Sequence, residues 1–108
     1  MLILKGKDRL DQLASDPDLR KAGWNNGAAS RPITDEVVAT ARQILEMMDP
    51  NSASVVQIVP TVSGALQFEW PHVEQERSFE IKIRRGCNIT DICAQINQGL
   101  IRAGLKTQ

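Results

Sequence analysis

This chain has few of the residues that most often carry chemistry. Its 108 residues include two cysteines, one histidine, two tryptophans, two phenylalanines and no tyrosine. Cys87 and Cys93 make no disulfide framework. Six residues apart and with a lone histidine, they do not match the ligand spacing of a tetrahedral metal site. No metal or cofactor is expected. His72 sits between Pro71 and Val73 in a polar stretch. A general base needs a positioned second group, and none is supplied, so His72 reads as an exposed loop residue. Glu69, Glu74, Glu76 and Glu80 are the candidates for paired carboxylates, but Glu74 and Glu76 read as loop solubility. No catalytic constellation stands above background.

Charge of one sign is also lacking. Thirteen basic and thirteen acidic residues cancel, which leaves no long-range pull towards nucleic acid or an anionic membrane. The aromatics do not interleave with basic residues as a base-stacking platform requires. No apolar run approaches the roughly 20 residues that cross a bilayer. The opening Met1-Leu2-Ile3-Leu4 is too short for a signal-peptide core, and charges follow at once. The expectation is a cytoplasmic protein with reduced thiols.

The pattern that is present is a period of two. Residues 55–84 hold three short alternating runs separated by two turn signals. Alternation marks half-buried strands, because successive side chains point to opposite faces of a sheet. The first run, residues 54–59, is rich in β-branched Val55, Val56, Ile58 and Val59. The turn is Pro60-Thr61-Val62-Ser63-Gly64. The second run, residues 65–70, turns Leu66, Phe68 and Trp70 one way and Gln67 and Glu69 the other, and Pro71 is expected to stop it. The third, residues 77–84, places Phe79, Ile81 and Ile83 inward and Glu80, Lys82 and Arg84 outward.

Short connections predict an antiparallel meander. Two registers keep the inward faces together. Phe68 opposite Ile81 sets Glu69 opposite Glu80, a like-charge pair. Phe68 opposite Phe79 sets Gln67 opposite Glu80 and Glu69 opposite Ser78, and is the register expected.

Helical periodicity flanks the strands. Thr34 caps a stripe of Val37, Val38, Ala41, Ile44, Leu45 and Met48, which Asp49-Pro50 ends. Asn88 or Thr90 opens a last helix over residues 90–103, striped by Ile92, Cys93, Ile96, Leu100 and Ile101 and stopped by Gly104. Its interior Gly99 suggests close approach of another backbone. The chain reads as one domain, 1–108, in the α+β class. It is a two-layer sandwich in the order α-β-β-β-α: a three-stranded antiparallel meander packed on two main helices, with a core over 32–105. Residues 1–31 form a short helical arm. One reading lays it against the domain; the other lets it order on a partner through Trp24.

The segment Pro-Thr-Val-Ser-Gly-Ala-Leu-Gln-Phe-Glu-Trp, residues 60–70, with Phe79-Glu80-Ile81 in the next strand, carries a resemblance. It resembles a hairpin motif of small bacterial proteins of unknown function, over about residues 55–83. The helix after the third strand is not part of that likeness. The resemblance implies a bacterial or phage accessory protein and no activity.

Three functions remain open. The first is a non-catalytic protein-interaction or assembly module, self-associating as a homodimer or docking a protein partner through Gln67, Glu69, Glu80 and Lys82, with Trp24 as anchor. A three-stranded sheet leaves two edges that invite pairing. The second is a nucleic-acid accessory using Lys82, Arg84 and Arg85, with Lys5 and Lys7. The third is a small enzyme whose site forms across a dimer interface.

Overall fold

The computed structural model describes residues 5–24, 30–72, 77–102 and 104. Helix α1 (Gly6–Ala14) leads into a 3-10 turn at Pro17–Arg20, then α2 (Asp35–Met47) and α3 (Pro50–Val55). Three strands follow, β1 (Gln57–Pro60), β2 (Leu66–His72) and β3 (Arg77–Ile83), and α4 (Ile89–Arg102) closes the chain. The strands form one antiparallel meander in the order β1-β2-β3. The fold is α+β in the order expected, with the helices gathered on one sheet face. None of the described helices is long and apolar enough to cross a membrane.

The caps follow the local chemistry. Thr34 Oγ1 accepts the Val37 N–H at 3.3 Å and opens α2. Asn88 Oδ1 accepts the Asp91 N–H at 3.0 Å and opens α4. Each satisfies a backbone donor that has no partner inside the helix. Asp49-Pro50 does two jobs. It ends α2, and it also starts α3, because Asp49 Oδ1 accepts the Asn51 N–H at 3.3 Å and proline suits a first helical position. The strand expected over residues 54–59 is therefore helical in its first two residues. Val55 closes α3 and is exposed, Val56 is buried in the core, and β1 begins only at Gln57 and runs to Pro60. β2 likewise continues past its expected stop at Pro71 to His72, whose backbone partner is Arg77. The polar connection at 73–76, with Glu74 and Glu76, lies outside the described residues.

The core is built on the sheet face of Ile58, Leu66, Phe68, Trp70 and Ile83, all buried, with Phe79 and Ile81 partly buried beside them. Phe68 meets Trp70 edge-on at 6.2 Å. Trp70 stacks on Phe79 at 5.7 Å and 27°. The Trp70 indole N–H donates to the Ser52 carbonyl at 2.9 Å, so the aromatic body is buried and its polar tip is satisfied. This bond anchors α3 over the sheet.

The two main helices expected, α2 and α4, cover this face, and the helical N-terminal segment packs beside them. Leu10 and Leu13 of α1 and Leu19 of the 3-10 turn join the same core as Val37, Ala41 and Ile44 of α2 and Ile92, Ile96 and Leu100 of α4. α1 packs against α2, β1 and α3, and α4 against α2 and β3. Within the N-terminal arm, residues 5–24 thus belong to the packed body; residues 1–4 and 25–29 lie outside the described set.

Two glycines mark close approaches. Gly6 holds φ at +58°, and a Cβ there would run into the Ala53 carbonyl oxygen. Gly99 of α4 faces the Phe79 ring, which occupies the space a Cβ would need. A side chain, not a neighbouring backbone, therefore makes the close approach at Gly99.

Candidate functional site

The register places Leu66 opposite Ile83, Gln67 opposite Lys82, Phe68 opposite Ile81, Glu69 opposite Glu80 and Trp70 opposite Phe79. The expected pairing of Phe68 with Phe79 is shifted by two residues. The two registers bury the same face, so burial does not choose between them. Two contacts favour the observed one. It brings Trp70 and Phe79 into a stack. It also lets the Gln67 amide donate to Glu69 Oε1 at 2.7 Å and Glu80 Oε2 at 3.2 Å, holding the two carboxylates through one donor group.

Gln67, Glu69, Glu80 and Lys82 therefore lie together on the sheet face away from the helices. Gln67 and Glu69 are half-buried, while Glu80 and Lys82 on β3 are exposed. Trp24 is not among them. It packs against the core, and its indole N–H donates to the Arg31 carbonyl at 2.6 Å. The Arg31 N–H in turn donates to Val62 in the β1–β2 turn.

The basic residues are also divided. Arg85 pairs with Glu36 at the start of α2, at 3.0 Å. Lys82 and Arg84 are exposed and make no ion pair among the described residues. Lys5 and Lys7 flank the start of α1, which packs on β1, the opposite edge of the sheet. The structure does not join them to the Lys82–Arg85 end.

The two edges of the sheet differ. Along β1, the Gly6 N–H donates to the Val56 carbonyl at 2.8 Å and Arg9 Nε–H donates to the Ile58 carbonyl at 2.9 Å. Pro60 has no N–H to offer. α1 packs over that edge and takes the carbonyls of Val56 and Ile58. Because the Ile58 carbonyl points away from β2, the alternation of antiparallel ladders directs the backbone groups of Phe68 towards β3. The same alternation turns the N–H and C=O groups of Ser78, Glu80 and Lys82 outward from β3. Among the described residues no backbone group caps them.

An open groove of about 490 Å³ runs along this free edge. Gln67, Glu80, Lys82 and Arg84 line it together with Ile81, Cys87 and, from α4, Ile92 and Gln95. The alternation of β3 supplies both polar and apolar lining, since neighbouring residues of a strand point to opposite faces. The strand and its polar residues are readable from the alternation, but the groove is not. Ile92 and Cys87 reach it only through the placement of α4, and the covering of β1 depends on Arg9, 49 residues from its acceptor.

Chemistry at the thiols is muted. Cys87 and Cys93 are unpaired and half-buried, and burial pushes the Cys93 thiol up from its ordinary value. A raised thiol is a poor nucleophile at neutral pH. Among the described residues no three His, Cys, Asp or Glu side chains come together as a metal site would need. No protein-family model, curated protein or solved structure matches this chain.

Proposed function

We propose that this chain is a non-catalytic protein-interaction module that takes an extended segment of protein along the free edge of β3. The observation that carries this reading is the contrast between the edges. β1 is covered by α1, and β3 offers backbone groups with no backbone partner among the described residues, beside a groove of mixed polar and apolar lining. Strand addition uses these features: main-chain hydrogen bonds supply affinity, and alternate side-chain contacts supply selectivity. Gln67, Glu69, Glu80 and Lys82 form the polar part of the docking surface, and Ile81 and Ile92 the apolar part. Two unpaired thiols suit a reducing compartment, so the cytoplasm is the proposed setting.

Nucleic-acid binding has less support. Arg85 is already paired, Lys5 and Lys7 belong to the other edge, and Glu80 stands beside the two remaining cations. Among the described residues nothing at this edge specifically favours a cross-interface enzyme.

The test is a single edge-blocking substitution. Lys82→Pro removes an outward N–H without touching the ladder to β2, a placement in which proline is tolerated. The variant is expected to keep its far-ultraviolet circular dichroism and to lose the proteins that the wild-type chain retains from its native cell. Identical retention by both chains would remove the β3 edge from the reading.

A further inference from the structure

The free edge of β3 has a complement of its own. Resting on the strand-addition reading above, we infer that the segment docked along β3 is β3 of a second copy, antiparallel, with the two-fold axis passing through Ile81. Only Ser78, Glu80 and Lys82 turn their backbone groups outward, so a symmetric antiparallel pairing joins even-numbered residues to even-numbered residues. Centring the axis on Glu80 sets Glu80 against its own copy, and centring it on Lys82 sets Lys82 against its own copy. Both are like-charge contacts and are disfavoured. Centring it on Ile81 sets Glu80 opposite the second copy's Lys82, and Lys82 opposite the second copy's Glu80.

The same register suits the other wall. Ile81 then meets its own copy in a non-hydrogen-bonded pair, the kind in which side chains approach more closely. Ile81 is only partly buried in the single chain and lines the groove beside Ile92. Pairing covers this apolar strip on the helix side, while the two Glu80–Lys82 pairs lie on the open side. Each Glu80–Lys82 pair also exchanges two backbone hydrogen bonds, which use groups left without a described partner in the single chain. The product is a continuous six-stranded sheet.

Charge reversal tests the register with the whole chain. The wild type is expected to be a dimer by light scattering, weakened as salt rises. Glu80→Lys alone and Lys82→Glu alone each set like charges at both contacts, and each should raise the dimer dissociation constant by at least about tenfold. Mixed in equal amounts, the two variants restore both pairs and should form a heterodimer. The double variant E80K/K82E restores both pairs with their signs exchanged and should dimerise like the wild type; loss in each single variant together with recovery in the double is the pattern of the Ile81-centred register. A dimer indifferent to these reversals overturns the inference. A wild-type monomer at all accessible concentrations also overturns it. In that case Lys82→Pro separates the two claims. If Lys82→Pro still abolishes capture of another protein, strand addition stands with a different occupant. If it changes nothing, strand addition falls as well.

Discussion

Glu69 stands directly opposite Glu80 across β2 and β3, and the Gln67 amide donates to both carboxylates. Like charges in direct cross-strand positions destabilise a sheet by a fraction of a kcal/mol. Glu69→Gln removes one charge, keeps an acceptor for Gln67 and leaves the β3 edge untouched. We expect it to stabilise the fold by about 0.2–0.5 kcal/mol. Gln67→Ala keeps both charges and removes the shared donor, and should cost about 1 kcal/mol. Urea denaturation of the two variants reads both signs, and a destabilised Glu69→Gln would contradict this account of the pair.

The aromatic layer should tolerate little change. Phe68 is fully buried and meets Trp70 edge-on. A Phe side chain of ~150–250 Å² contributes roughly 4–6 kcal/mol as an upper bound. Phe68→Ala is expected to cost about 3–5 kcal/mol, comparable to the whole stability of a small domain. Thermal melting followed by tryptophan fluorescence is the measurement; an unchanged midpoint would show that this face is not the core.

Gly99 offers a sharper test of packing, because helix propensity and packing oppose each other there. Alanine in an exposed helix interior gains up to about 1 kcal/mol over glycine. At Gly99 a Cβ would overlap the Phe79 ring, and overpacking of a tight contact costs about 1–3 kcal/mol. Gly99→Ala should therefore destabilise, and pairing it with Phe79→Leu should recover part of the loss. Stabilisation by Gly99→Ala alone would mean that the ring moves aside freely.

The cover on β1 is testable at both of its bonds. Arg9→Ala leaves the Ile58 carbonyl without its donor and should cost about 1.5 kcal/mol, the lower part of the range for a hydrogen bond from a charged group. Gly6→Ala forces a side chain into a left-handed backbone and against Ala53, and should cost more than about 1 kcal/mol. Hydrogen exchange should show amides of α1 opening at lower free energy in both variants, while α4 is less affected.

Alkaline pH should act through Cys93. Burial raises its folded-state pKa above that of the unfolded chain, so between those two values the folded protein holds a proton that the unfolded protein has released. Stability then falls as pH climbs from about 8.5, the ordinary thiol value, through the raised value. Cys93→Ala should lose this part of the alkaline decline and leave the neutral range unaffected. Melting curves from neutral to alkaline pH compare the two.

Much of this architecture was legible in the residue order, and the failures are local. The stripes of α2 and α4 and the alternation of β2 and β3 are strong because each is periodic and bounded by its own cap or turn. Residues 54–59 misled because Val55, Val56, Ile58 and Val59 favour a strand, whereas Asp49-Pro50 is both a helix stop and a helix start. The capping bond at Asn51 and the Trp70–Ser52 bond favour the helix. Charge alone favours the register two residues away, whereas the Trp70–Phe79 stack and a glutamine shared by two carboxylates favour the observed one. The polar residues of the candidate surface were readable from alternation. The groove was not, because its second wall comes from α4 and its significance depends on the closure of the opposite edge.

That closure limits growth. A sheet with two bare edges adds copies without end, the geometry of fibres. Here α1 terminates one side through Gly6 and Arg9, so any assembly through β3 stops after one addition. Gly6 and Arg9 thus act as a built-in chain terminator. Weakening them should be visible in long-term solubility even where the fold survives.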